Sequence, residues 1–394
     1  MTRPELVFVS PRFLFPADSG GAIRTTEILR NMRGGKFRIR LLSPAAGDQQ
    51  QRHAAQLAQI ADQWECWPVH ETTAARRLPL LASRLPLAVA SDRSGAGMQL
   101  VAQALARRPQ VAVFDFLHSA VLARLPLDAP SVLFTHNVEA EIVERHVQYE
   151  TSRWRKAVWR SQLIKMRRFE HNALRCFDRV VAVSVRDAER FRSDYGAERI
   201  DVIPTGVNLN YFRYAPSEQN GRVVFTGSMD WLANVDAMRW FGAAIWPRIK
   251  AQHPAATMTV VGRNPPQELS ASPLPGWTLT GRVDDIRPHV HGAAVFVIPL
   301  RIGGGTRIKA FEAMAMGVPV VSTSVGIEGL DVEPGRHFLQ ADTEQQFAQA
   351  VASLLASPEH GRTLAEQARR HVEQRYSNAT VAREFENICE KAMQ

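Results

Sequence analysis

Residues 299–323 read PLRIGGGTRIKAFEAMAMGVPVVST, and the apolar run AAVFVIPL (293–300) leads into them. A second apolar run, VPVVST (318–323), closes the stretch. Between the two stand three glycines, the basic pair Arg307 and Lys309, and a helical segment carrying one acid, Glu312, among apolar neighbours. Strand, glycine loop, helix and strand within about thirty residues form a unit whose two strands run parallel, because the helix returns the chain to the starting edge. Glycines let main-chain N–H groups approach a ligand without interference from a Cβ. The helix start adds unpaired donors and the positive end of its dipole. The junction reads either as a tight turn in a parallel sheet or as an anion site. In the second reading Gly303, Gly304, Gly305 and Thr306 offer amides, while Arg307 and Lys309 offer charge. Glu312 lies beyond Thr306 by about 9 Å along a helix axis. Its side chain leans back toward the helix start, within reach of a sugar diol attached to a bound diphosphate. The alternative for Glu312 is a surface acid or an ion-pair partner.

The same alternation extends through the chain. ELVFVS (5–10), FRIRLLSP (37–44), VAVFDF (111–116), SVLFTHN (131–137), RVVAVS (179–184) and IDVIP (200–204) are strand candidates, with helices over 97–107 and 155–176 among the segments between. A cluster of Asn, Pro, Ser, Gln and Gly at 208–221 reads as a linker. RVVFTG (222–227), ATMTVVG (256–262), WTLTG (277–281), the runs at 293–300 and 318–323, and HFLQA (337–341) follow. Strands alternating with helices predict an α/β chain with parallel, doubly wound sheets. A length of 394 residues suits two domains, 1–212 and 213–377, with a last helix, 378–394, that could cross back to the first.

With 45% hydrophobic and 22% charged residues the composition is that of a globular chain. No apolar run approaches the ~18 residues that span a bilayer, and MTRPELVFVS runs into a strand without the pattern of a signal peptide. Cys66, Cys176 and Cys389 fit neither a disulfide framework nor a zinc spacing, so a reducing, cytoplasmic setting is expected. The net charge of +9 favours anionic partners without choosing among nucleotides, phospholipid surfaces and nucleic acid. Much of it sits in RWRKAVWRSQLIKMRR (153–168), which carries seven Lys/Arg and no acid. Trp159, Leu163 and Met166 recur there at helical spacing, so the segment reads as a basic amphipathic helix. It is a solvated face over a packed core, a peripheral dock on the inner face of the plasma membrane, or a contact for acceptor or nucleic acid.

VVAVSVRDAERF, VIPTGVNLNYF, VVFTGSMDWLANVDAMRWF, TVVGRNPP, LTGRVDDIRPHVHGAAVFVIPLR and GGGTRIKAFEAMAMGVPVVSTSVGIEGL occur in that order. The series resembles the retaining group 1 glycosyltransferases, glycosyltransferase family 4, over most of the chain. The resemblance implies the GT-B fold: two Rossmann-like parallel-sheet domains facing a cleft, the C-terminal one binding a nucleotide sugar and the N-terminal one supplying acceptor contacts. It implies that Glu312 holds the ribose, that GRVDD addresses the base through Arg282 and Val283, and that Gly227 and Ser228 face the phosphates. The family's usual Glu–seven residues–Glu motif finds Gly304 at its first position. A side-chain contact to the donor sugar is thereby missing, and main-chain N–H groups are expected to substitute. Many members also carry Arg and Lys just after the loop at Gly227. Here SMDWLANVDAM has no basic residue before Arg239, so Arg307 and Lys309, with Arg301, are expected to supply that charge.

Nearer the start, SPRFLFPADSGGAIRTTEI sets Gly20 and Gly21 between a strand and a helix, as an anion-friendly helix start or a packing turn. In the resemblance this loop borders the transferring group, which makes Gly20 a donor contact and Gly21 a catalytic position. Arg24 faces phosphate or solvent. FTHNVEAEI ends a strand at His136, and relatives place a donor-contacting His at that strand end. His136 is expected to position the transferring group by hydrogen bonding rather than to attack it, or else to be structural. His118, Glu139 and Glu141 are acceptor candidates. The expected reaction moves a hexose from an NDP-sugar co-substrate to a polysaccharide or lipid-linked glycan, in bacterial cell-surface polysaccharide synthesis, with no metal and no further cofactor. An epimerase of related fold and a non-catalytic nucleotide-sugar binder remain open. A nucleic-acid binder leaves the glycine loops unexplained, and no nucleic-acid partner is expected.

Overall fold

The apolar runs pair as two wholly parallel sheets. The structure, a computed structural model, describes residues 3–69, 79–215, 221–271, 274–302 and 308–394. It divides into two compact units, Met1–Gly206 with Asn378–Gln394, and Val207–Ser377. The first contains β1 (Glu5–Val9), β2 (Arg38–Ala45), β3 (Gln63–Pro68), β4 (Val111–Asp115), β5 (Ser131–Phe134), β6 (Arg179–Ala182) and β7 (Ile200–Val202), in the order β3-β2-β1-β4-β5-β6-β7. The second contains β8 (Arg222–Thr226), β9 (Thr257–Val261), β10 (Trp277–Gly281), β11 (Val295–Ile298), β12 (Val320–Ser322) and β13 (Leu339–Gln340), in the order β10-β9-β8-β11-β12-β13.

A parallel strand covered by helices on both faces must be apolar on both, and the first sheet obeys this. Val7, Val9, Ala112, Phe114 and Leu133 enter one core. Their alternates Leu6, Phe8, Val111, Val113, Val132 and Phe134 enter the other. The last helix, Asn378–Ala392, supplies Val381, Phe385 and Ile388 to that second core, with the Phe385 ring 5.1 Å from that of Phe134. The expected boundary after residue 212 is displaced: Val207 is buried in the core of the second unit, and Leu209 and Phe212 pack against it. Strand β3 has no counterpart in the sequence reading. It is an edge strand, QWECWP, whose mostly half-exposed residues mix charge with aromatic bulk.

Helix starts follow their capping residues. Ser19 accepts from the Ala22 N–H at 3.3 Å to open the helix Gly20–Met32, and Thr343 forms a capping box with Gln346 before Glu344–Ala356. Each strand order reverses direction once, between β1 and β4 in the first unit and between β8 and β11 in the second. Loops leaving the carboxyl ends of such strand pairs diverge to opposite faces and open a crevice for ligands.

Candidate functional site

In the second unit the crevice lies at the carboxyl ends of β8 and β11. Gly227 and Ser228 leave β8, and the Gly227 N–H donates to Val261 O at 2.9 Å. Gly262, just past β9, comes so close that a Cβ there would overlap the Gly227 carbonyl oxygen. Gly262→Ala is accordingly expected to push the Gly227–Ser228 loop aside, costing about 1–3 kcal/mol and weakening nucleotide binding. Thermal melting and nucleotide titration of the variant check this. Asn234 is buried behind the loop, its Nδ2 donating to Ser228 O at 2.7 Å and its Oδ1 accepting from Lys309 Nζ at 3.1 Å.

Three expectations about charge need revision or lie elsewhere. Lys309 Nζ donates to Thr226 O at 2.7 Å and sits 4.4 Å from the centroid of Phe225. It braces the end of β8 from beneath instead of presenting a free ammonium to phosphate. Arg301 is neutralised by Asp236, at 2.6 and 3.1 Å, and lies over Trp240. Gly303, Gly304, Gly305, Thr306 and Arg307 lie outside the described residues. A basic side chain the sequence did not single out does reach the loop: Arg263 Nε donates to Ser228 Oγ at 3.1 Å and to Asp230 Oδ2 at 2.8 Å. It belongs to the neighbouring strand end, so no motif after Gly227 could have signalled it.

Glu312 projects from the helix Ile308–Ala315, between buried Phe311 and Ala313. It keeps partial solvent access, yet its carboxylate accepts no hydrogen bond among the described residues. Burial raises its pKa to about 7, against the pull of the Lys309 ammonium. A carboxylate so placed is starved of donors. Arg282 is exposed just past β10, where Gly281 has a φ of 69°, and Val283 packs against the core.

The first unit carries a different chemistry at the ends of β1, β4 and β5. Asp115, fully buried, accepts from Ser10 Oγ at 3.3 Å, Thr25 Oγ1 at 3.1 Å and His136 Nε2 at 2.7 Å. Arg24 Nη1 donates to His136 Nδ1 at 3.2 Å, and its Nε donates to Thr205 Oγ1 at 2.9 Å. A guanidinium only donates, so Nδ1 is the acceptor and the imidazole proton resides on Nε2. Burial holds the pKa of His136 below its ordinary value while Asp115 pulls the other way. The expected hydrogen bond from His136 to a sugar is not available in this geometry, because both ring nitrogens are engaged and Phe116 stacks on the ring at 3.9 Å. Arg24 is likewise buried rather than turned to phosphate or solvent.

Phe116 follows β4 with φ 61°, a left-handed backbone rare for a bulky residue. Its ring lies where a Cβ on Gly21 would be. Packing against Phe116 thus requires a glycine at position 21. Nothing comparable constrains Gly20, which has open space around it.

His118 and Glu139 are brought together. His118 Nδ1 donates to Asp92 Oδ2 at 3.0 Å, and its Nε2 faces Glu139 Oε2 at 3.6 Å, an ion pair beyond hydrogen-bond length. Burial would lower its pKa, but Asp92 and Glu139 outweigh that and raise it to about 9. An elevated histidine pKa stabilises the fold fully below the ordinary 6.5 and loses that contribution as pH rises through about 9. Unfolding free energies of wild type and His118→Asn, read from urea titrations, are expected to converge over that window, from a gap on the order of 3 kcal/mol. Glu141 pairs with Arg186 and Arg145, which hold its pKa down to about 2. Glu170, the one acid ending the basic helix, accepts from the Glu139 and Ala140 main-chain N–H groups at 2.8 and 3.3 Å and from the Tyr195 hydroxyl. It caps the helix Glu139–Tyr149, whose own preceding residue, Val138, has no capping oxygen.

Two parallel sheets with the same strand reversal define an α/β protein of the GT-B class. The family described as Glycosyltransferase Family 4 matches residues 19–211, and that described as Glycosyl transferases group 1 matches residues 220–357. The chain belongs to this glycosyltransferase family. It is 22% identical over 248 residues to an uncharacterized 44.6 kDa protein in the cps region of Klebsiella pneumoniae, covering 60% of this chain and 62% of that one. It is 26% identical over 266 residues to the MMP alpha-(1->4)-mannosyltransferase of Mycolicibacterium hassiacum, covering 64% and 63%. The matches thus span less than two thirds of either relative. Among solved structures, sucrose-phosphate synthase from Thermosynechococcus elongatus superposes with a TM-score of 0.66 at 16% identity over 98% of both chains. Anabaena HepE in complex with UDP does so with a TM-score of 0.65 at 16% identity over 98% and 100%. At these identities the likeness establishes the fold.

Proposed function

We propose that this chain is a retaining glycosyltransferase that moves a hexose from an NDP-sugar to a polysaccharide or lipid-linked glycan acceptor in cell-surface polysaccharide synthesis. The observation that carries the reading is Glu312, a half-buried carboxylate that accepts no hydrogen bond among the described residues, in the first turns of the helix that follows the basic, glycine-rich junction. A ribose diol is a ligand that supplies two donors to one carboxylate. The amides of Ser228 and Gly303–Gly305, with the Arg263 and Arg307 guanidinium groups, meet the diphosphate charge, while Gly227, its own N–H held by Val261 O, sets the approach of the loop. Arg282 and Val283 stand at the base. His136, through its hydrogen bonds to Arg24 and Asp115, acts as a positioning residue, and His118 with Glu139 meets acceptor hydroxyls. The sugar–phosphate C–O bond breaks as the acceptor oxygen bonds the same face of the anomeric carbon, and the departing phosphate oxygen takes the acceptor proton. No metal or further cofactor is required by this scheme, since amides and guanidinium groups carry the charge.

The relative from a cps region and the UDP complex of HepE support a polysaccharide setting and a nucleotide-sugar donor. No helix among the described residues is long and apolar enough to cross a membrane, and action at the cytoplasmic face of the membrane follows from the proposed donor. Thermal-shift screening with UDP-, GDP- and ADP-sugars tests the reading, followed by NMR of the reaction with the stabilising donor. One nucleotide class is expected to stabilise the protein, and the transferred hexose is expected to keep its anomeric configuration. A donor that epimerises without acceptor, or no stabilisation by any of the three, would contradict it.

A further inference from the structure

The basic segment forms the first two-thirds of one long helix, Arg153–Cys176. Its sequence suggested Trp159, Leu163 and Met166 as the apolar stripe. The structure turns these three inward, with Met166 buried and Trp159 and Leu163 packed against the core of the first unit. The outward face should then be polar. Instead Trp154 is 67% exposed, Ile164 56% and Val158 36%. At about 100° per residue these three fall within about a third of the helix circumference, and the same arc holds Ala157, Ser161, Lys165 and Arg168.

Charge on this face is one-sided. No Asp or Glu occurs from residue 151 to residue 169. Arg167 is neutralised by Glu144, and Lys165 donates to Leu81 O at 2.7 Å. Arg153, Arg155, Lys156, Arg160 and Arg168 make no ion pair among the described residues. Arg155 lies 5.4 Å from the Trp154 ring centroid, flanking the apolar arc without covering it. An exposed tryptophan with two aliphatic neighbours gains nothing from water. Indole at headgroup depth, aliphatic side chains below it and guanidinium groups on lipid phosphates would satisfy every one of these side chains at once.

We infer that the outward face of Arg153–Cys176 docks on an anionic phospholipid bilayer, with Trp154, Val158 and Ile164 entering the interface. The inference stands apart from the transfer reaction and does not depend on the donor site. It assigns the membrane contact to a second apolar line, opposite the one that periodicity alone reveals.

The full-length protein would be sedimented with vesicles of phosphatidylglycerol and phosphatidylethanolamine, and with phosphatidylcholine vesicles, at low and high salt. Two variants accompany it, Trp154→Ser with Ile164→Ser, and Arg153→Gln with Arg160→Gln and Arg168→Gln. Circular dichroism verifies that each is folded. Wild type is expected to bind the anionic vesicles at low salt, to ignore phosphatidylcholine and to be released by salt. Either variant should bind at least about tenfold more weakly. Wild type failing to bind anionic vesicles at low salt would overturn the inference. So would variants that bind like wild type, or retention of wild type by a DNA duplex or an acidic protein column but not by vesicles.

Discussion

Replacing Glu312 by glutamine is expected to weaken nucleotide binding about a hundredfold while leaving the folded protein intact. Two hydrogen bonds from a diol to a charged carboxylate are worth about 1.5–3 kcal/mol each. Glutamine keeps the shape and one acceptor but loses the charge, so about 3 kcal/mol, or two decades of affinity, should go. The pH dependence gives a sharper signature. In the folded protein burial raises the pKa of Glu312 to about 7, above the 4.5 of an ordinary glutamate. Between these values the folded protein holds a proton that the unfolded chain has released, so its contribution to stability grows as pH falls from about 7 to 4.5. Nucleotide affinity runs the other way, because the diol needs the carboxylate, and should decline as pH drops through about 7. Calorimetric titration and melting curves across that range should show the two opposite slopes in wild type and neither in Glu312→Gln. A merely structural Glu312 would show the stability slope alone.

Asp115→Ala is expected to be the most damaging single substitution in the first unit. It strands three donors, on Ser10, Thr25 and His136, and leaves the buried Arg24 guanidinium without its nearest counter-charge. Each stranded buried donor costs about 1–3 kcal/mol, and removing the Asp115 charge that favours the buried Arg24 guanidinium adds to this; the His136 ring on which the strained Phe116 stacks would lose its anchor. Asp115→Asn keeps an acceptor for His136 Nε2 and should fall between wild type and alanine. Urea unfolding of the three proteins gives the order. Equal stability of Asp115→Ala and wild type would mean that Arg24 and His136 are held by other groups.

Much of this architecture was legible because parallel strands buried on both faces must read as short apolar runs. Twelve such runs stand out, and each becomes a strand. The half-exposed edge strand β3 has no such run, and nothing in its sequence marks it as a strand. The glycines were legible as special, but not for which reason. Gly21 accommodates a phenylalanine ring, Gly262 a carbonyl, and neither partner is near in sequence. Charge was legible by amount and not by destination. Arg301 and Lys309 stand beside the glycine junction in the chain, yet their partners, Asp236 and the end of β8, lie more than sixty residues away. Arg263 reaches Ser228 across adjacent strands, a proximity only the sheet order creates. On the basic helix, 3.6-residue periodicity identified the stripe that faces the core, while the outward Trp154–Ile164 arc emerged from exposure.

The account turns on nucleotide recognition at the ends of β8 and β11, and a crystal soaked with the nucleoside diphosphate of the stabilising donor tests it most directly. The diphosphate is predicted to lie against the amides at Ser228 and Gly303–Gly305, with both ribose hydroxyls on the Glu312 carboxylate. Nucleotide density at another place in the second unit, with Glu312 still unpartnered, would contradict the assignment.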